Sequence, residues 1–219
     1  MYFKQKGPIY GENAAPVTRG EGTVAPFLTD PNWVNLRRGD NHKCVYYHTQ
    51  RDLLVITSAD DFLIDGHEEH IKWFDQALDE KFICKPVEFL TTDHPLEFVG
   101  LEITLTNDRI YMSMEPYIEK MTEDLQKMGL KLSNREVLTP ISQPINPDTP
   151  ALSPKDIHLF LSGNGCVAWC ANTLRPDVAY AFSRIGQHSS HPTASALEAL
   201  TRAVSYLFQH KDLCLNQKL

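Results

Sequence analysis

The sequence predicts an α+β fold, and three observations carry that reading. Between Cys44 and Ile64 the apolar residues fall in short runs broken by polar turns, as antiparallel strands do. Between Ile71 and Phe82, and again between Ile118 and Met128, they recur every three or four residues, as amphipathic helices do. Beyond Leu152 only the helical period remains. Hydrophobic residues make up 42% of the 219 and charged residues 22%, a balance that supports a packed core and excludes a disordered chain.

The stretch up to Gly39 is rich in Gly, Pro and Asn and reads as loops and short segments; Val17 to Leu28 shows no clear period. Cys44–His48 reads as a strand, Thr49–Asp52 as a turn and Leu53–Thr57 as a second strand, aliphatic on both faces and therefore central. Ser58-Ala59-Asp60-Asp61 is the next turn and Phe62–Ile64 a third strand. Ile71, Phe74, Leu78 and Phe82 mark a helix, followed by an irregular segment through Pro86 and Pro95. Phe98 to Leu105 and Ile110 to Met114 form a hairpin about Asn107-Asp108. Pro116 opens another helix that Gly129 ends. Lys131 to Leu152, with Pro140, Pro144, Pro147 and Pro150, reads as a semi-rigid connector. Ser153-Pro154-Lys155-Asp156 is a capping box, and further helices start at Arg175-Pro176-Asp177 and His191-Pro192-Thr193.

The longest aliphatic run, Leu53–Ile56, is far too short to cross a bilayer, and no apolar stretch follows the basic start of the chain as in a signal peptide. Five scattered cysteines fit a reducing compartment, so the expected location is intracellular, cytoplasmic or nuclear. The formal net charge of −7 argues against a free-standing nucleic-acid binder unless a further part of a larger polypeptide holds the basic groove.

The adjacent carboxylates Asp60 and Asp61 are the chemical centre of the sequence. Carboxylates are hard-oxygen ligands suited to Mg²⁺, and phosphoryl transfer to a 3′-hydroxyl uses two such ions about 3.5–4 Å apart. A turn between buried strands is a rigid mount, and two neighbouring like charges call for a cation between them. Turn chemistry alone leaves a plainer alternative, since Asp often caps local N–H groups in turns. His67-Glu68-Glu69-His70 lacks the His-Glu-x-x-His order of a metallohydrolase. Cys166 and Cys170, four apart on one helical face, fit core packing, with a zinc site as the alternative. Trp33, Trp73 and Trp169 fit core or interface aromatics.

Ser58-Ala59-Asp60-Asp61-Phe62-Leu63-Ile64 resembles the Tyr-x-Asp-Asp hairpin of reverse transcriptases of the copia-type retrotransposon branch. Tyr10-Gly11-x-x-x-Ala15-Pro16, Phe98-Val99-Gly100-Leu101-Glu102-Ile103, Ile110–Ser113 with Tyr117-Ile118, Thr139-Pro140 and Thr173-Leu174-Arg175-Pro176-Asp177-Val178-Ala179-Tyr180-Ala181 resemble further blocks of that branch, in its order. The resemblance implies a partial palm over 1–114, a thumb helix and Pro-rich linker over 115–152, and a mostly helical connection-like region over 153–219. It implies Asp60 and Asp61 as catalytic ligands of Mg²⁺ or Mn²⁺, Tyr10, Gly11 and Pro16 near the nascent base pair and template, and Lys120 and Lys127 against the backbone of an RNA/DNA primer-template. It also implies membership of a Pol polyprotein, with no membrane partner.

Three departures qualify that picture. The family's leading catalytic Asp lies upstream of the Tyr-Gly block, where only nine residues precede Tyr10, so this Asp and the fingers are expected to be missing. Ser58 stands where the family has Tyr, and Asn13 and Ala14 stand where it often has Lys and Gln. The alternative reading is a non-catalytic relic that still binds nucleic acid or protein. Because loss of one metal ligand removes most of the rate, the 219-residue chain is expected not to extend a primer with Mg²⁺ or Mn²⁺. Robust extension that Asp60→Asn abolishes would contradict this.

Overall fold

A computed structural model describes residues 24–58 and 61–218. The chain divides between Phe89 and Leu90 into two compact units.

The first unit holds one antiparallel sheet in the order β1-β2-β3-β4, made of β1 (Arg37–Arg38), β2 (Val45–His48), β3 (Leu53–Ser58) and β4 (Asp61–Asp65). Helix α1 (Ala25–Thr29) precedes it and α2 (Glu68–Lys81) follows it. Cross-strand pairing aligns Tyr46 with Val55 and Val55 with Ile64, so these side chains share one face. Phe74 and Leu78 of α2 pack on that face, with Phe27 and Leu28 of α1, Val34 and Leu36 completing the core. Between residue 24 and Gly39, where loops and short segments were expected, the structure has a short helix and a two-residue strand. A five-residue helix has little stability of its own; burial of Phe27 and Leu28, at 4% and 0% exposure, holds it.

The second unit combines an antiparallel sheet, order β5-β6-β7-β8, with four helices. Its strands are β5 (Leu96–Phe98), β6 (Leu101–Leu105), β7 (Arg109–Ser113) and β8 (Leu215–Lys218). Phe98-Val99-Gly100-Leu101, expected within one strand, is instead a hairpin turn that pairs Phe98 with Leu101. Val99 and Gly100 take φ of 55° and 76°, the left-handed conformation that a two-residue turn of this kind demands. Strand β8 pairs with β7 within the stretch beyond Leu152, where the sequence showed only the helical period; the ladder of β7 draws it into the sheet.

Helices α3 (Glu115–Met128), α4 (Pro154–Thr173), α5 (Ala179–Gly186) and α6 (Ala194–Gln209) surround one core. Gly129 ends α3 with a left-handed φ of 117°, and Ser153 caps α4 by accepting the Asp156 N–H. Gly163 lets α4 approach α6: a Cβ there would lie 2.8 Å from Leu200 Cδ2. The Pro-rich stretch after Gly129 lies within this unit, with Val137 and Ile145 buried. Prolines cannot donate to a ladder, and side chains of α6 take over. Gln209 Oε1 accepts the Val137 N–H at 2.8 Å, Ser195 Oγ the Asn146 N–H at 3.0 Å, and Arg202 Nε donates to the Thr139 carbonyl at 3.0 Å. Among the described residues no helix is long and apolar enough to cross a membrane.

Among the described residues Arg175 is the most deeply buried charge, at 2% exposure. It donates to both Asp177 carboxylate oxygens, through Nε to Oδ1 at 3.0 Å and Nη2 to Oδ2 at 2.8 Å, and through Nη1 to the His210 carbonyl at 2.8 Å. Burial alone would raise the Asp177 carboxyl, but hydrogen bonds and charge from Arg175, with the Tyr206 hydroxyl, hold it below its ordinary 3.8. Its contribution to stability is therefore full above that value and is lost as pH falls through the lower folded-state pKa. Arg175→Met, which strands the Asp177 charge, is expected to cost about 2–4 kcal/mol in urea unfolding at neutral pH. Asp177→Asn should flatten the acid limb of the stability curve below about pH 4; an unchanged limb would show that another group controls it.

Candidate functional site

The β3–β4 hairpin pairs Ser58 with Asp61, and in the sequence Ala59 and Asp60 stand between them. Those two lie outside the described residues, as do Tyr10, Gly11 and Pro16. Asp61 is exposed, and its carboxylate has no hydrogen-bond or ion-pair partner among the described residues.

Alternation decides where Asp61 belongs. Phe62 and Ile64 lean toward α2, and the Phe62 and Phe74 rings stand edge to face at 6.2 Å. Asp61, Leu63 and Asp65 therefore occupy the opposite face, in rows with Ser58, Ile56 and Leu54, the last row continuing to Tyr47. That face carries half-buried aliphatic residues between two exposed carboxylates, one at each end of β4.

Asp65 was not singled out in the sequence, although the period-two spacing Asp61-Leu63-Asp65 carries the signal. At its end of the face, Tyr47, Asp52, Leu54, Asp65, Gly66 and His67 line a shallow pocket of about 420 Å³. Tyr47 donates its hydroxyl to Asp52 Oδ1 at 2.6 Å, and this bond to a carboxylate raises the phenol above its usual pKa.

The other sequence candidates lie elsewhere. Lys120 and Lys127 are exposed on α3, and Lys127 Nζ is 2.8 Å from Asp124 Oδ1. Glu123 and Asp124 share the exposed side of that helix. His67 stands at the N-cap position of α2 without a side-chain capping bond, and its ring meets the His70 ring edge to face at 5.9 Å; His70 Nε2 is 3.3 Å from Glu69. Burial pushes the Cys170 thiol up to about 12, which makes it a packing group rather than a nucleophile. Arg51 stacks on Trp73, 4.0 Å from the ring centroid, and His48 meets the same ring edge to face. Among the described residues, which do not include Asp60, no three His, Cys, Asp or Glu side chains converge as a metal-sized group.

A Saccharomyces cerevisiae protein named for transposon Ty5-1 is 32% identical over 215 residues, which is 97% of this chain. The chain spans 66% of that protein's length, just under two thirds. No protein-family model matches the chain, and no solved structure does.

Because Phe74 holds the hairpin's covered face at 0% exposure, Phe74→Ala is expected to destabilise the first unit by about 3–5 kcal/mol. Amide exchange at Val55 and Ile64 should accelerate in step with the loss, whereas unchanged exchange there would show that the hairpin stands without α2.

Proposed function

We propose that this retrotransposon-related chain is part of a reverse transcriptase and contributes the Asp60–Asp61 hairpin to an RNA-directed DNA polymerase centre. The observation that carries the reading is the exposed, unengaged Asp61 carboxylate on the sheet face that α2 leaves uncovered. The ordered resemblance to copia-type reverse transcriptases supports it along most of the chain.

Asp60 and Asp61 would hold Mg²⁺ or Mn²⁺, and a free carboxylate at a hairpin end fits the hard-oxygen donors that these ions take. Bound there, the ions would neutralise charge on the transferring phosphate and activate the primer 3′-hydroxyl. The chain's own share is positioning. Strand pairing along β3–β4 holds Asp61 in place before substrate arrives, so little reorganisation is needed at this carboxylate. Tyr10, Gly11 and Pro16 would line the template side, and Lys120 and Lys127 would meet the primer-template backbone. Lys127 would exchange its Asp124 partner for phosphate. The remainder of a Pol polyprotein would supply the further ligand that a two-metal centre takes. The second reading, a non-catalytic nucleic-acid- or protein-binding module, draws on the net charge of −7 and on Ser58 in the family's Tyr position.

Titration with Mn²⁺, followed by paramagnetic broadening of backbone amide signals, separates the two. Broadening is expected first at Ser58, Asp61 and Phe62, and Asp60→Asn with Asp61→Asn should weaken it by about tenfold or more. Broadening spread evenly over the acidic surface, or unchanged in the double variant, would sink the metal reading and favour the module.

A further inference from the structure

Trp33 and Trp73 come together at one pocket of the first unit. Trp33, at 39% exposure, and the half-buried Trp73 line a recess of about 390 Å³ with Asn32, Gln76, Ala77 and Glu80. Trp73, Gln76, Ala77 and Glu80 recur at three- and four-residue spacing and form one stripe along α2. Trp33 comes from the turn after α1. Asp30 Oδ1 accepts the Asn32 backbone N–H at 2.8 Å and its Nδ2 at 3.0 Å, and the Asp30 carbonyl accepts the Trp33 N–H at 3.0 Å. These bonds fix where Trp33 leaves the chain.

Both indoles are held by groups that do not line the pocket. The Trp33 ring meets Phe27 at 5.5 Å and carries Lys81 Nζ at 5.2 Å. The Trp73 ring meets His48 edge to face at 5.6 Å and carries the Arg51 guanidinium at 4.0 Å. Each ring thus already receives one cation of the chain, as the negative face of an indole does. Glu80 is the only charged residue of the lining. It is exposed, and its carboxylate has no hydrogen-bond or ion-pair partner among the described residues. It also sits in the last turn of α2, where the helix end is negative and favours a cation.

Two indoles, a free carboxylate and a helix C-terminus all call for positive charge. An unmodified ammonium is strongly hydrated, and indole rings offer no acceptor in place of the lost water. A methylated ammonium keeps the charge, sheds its N–H donors and presents methyl groups to the rings. A choline headgroup brings a phosphate with it, and the lining has no basic residue to meet one. A methylated lysine brings only an apolar stem, which suits Ala77, and a peptide backbone, which suits the Asn32 and Gln76 amides.

We propose that this pocket binds a trimethylated lysine of a protein partner, with Trp33 and Trp73 against the trimethylammonium and Glu80 as its counter-charge. This goes beyond the polymerase reading and does not need it, because it uses no residue of the Asp60–Asp61 hairpin and no metal.

The test follows the tryptophan indole N–H signals of the full chain during titration with acetyl-trimethyllysine amide, acetyl-lysine amide and glycerophosphocholine. Trimethyllysine is expected to shift the Trp33 and Trp73 signals and to leave Trp169 unmoved. The unmethylated lysine should bind about tenfold more weakly. Trp33→Leu, which keeps an apolar side chain and removes the ring, should weaken trimethyllysine binding about three- to thirtyfold. Glu80→Gln, at an exposed position, should weaken it several-fold. Equal binding of the two lysines, shifts confined to Trp169, or affinity untouched by both variants would each overturn the proposal. Tighter binding of glycerophosphocholine would overturn it in favour of a choline headgroup. Loss of Mn²⁺ binding at the hairpin would leave these outcomes unchanged, so the two readings fail separately.

Discussion

Phe74, wholly buried, lies in the core that α2 shares with Tyr46 and Val55, and this packing decides which face of the first sheet is open to chemistry. Side chains alternate along a strand, so covering Phe62 and Ile64 commits Asp61, Leu63 and Asp65 to the other side. A slip of one residue in the β3–β4 register would turn the carboxylates toward the apolar core, where they would be uncompensated. The apolar packing that stabilises the hairpin therefore also fixes the outward position of its acid groups. Structure and candidate function share one constraint here, and no separate device orients Asp61.

The second unit relies on a different kind of interaction. Its helices meet through apolar side chains, but their ends are tied by polar groups: Arg175 to Asp177 and the His210 carbonyl, and α6 side chains to the Pro-rich stretch. A buried guanidinium is costly unless its donors are all engaged. Here Nε, Nη1 and Nη2 each have a partner, which gives the Arg-Pro-Asp sequence a structural purpose independent of any chemistry.

The sequence showed the strands β2 to β4, the helix α2, the cap at Ser153 and the Gly129 stop because each depends on local pattern. It did not show β1, β5 or β8. Two-, three- and four-residue strands carry too little period of their own, and they exist because a neighbour supplies the ladder. The Val99-Gly100 turn was hidden for a related reason: a β-branched residue rarely takes a left-handed conformation, so Val there does not read as a turn signal. At the candidate site, Asp61 was visible as half of an acidic pair. Asp65 was not, since an isolated Asp before a Gly reads as an ordinary strand end until cross-strand rows show what it shares a face with.

The bond from Arg175 to the His210 carbonyl joins groups 35 positions apart. It clamps the residue that follows α6 to the segment that precedes α5, so the two ends of the α5–α6 stretch are held by one side chain. Fraying of the final turn of α6 therefore carries a cost at a distance: it strips a buried guanidinium of one of its acceptors. The end of this helix is anchored by a charge rather than left to loosen as helix ends commonly do.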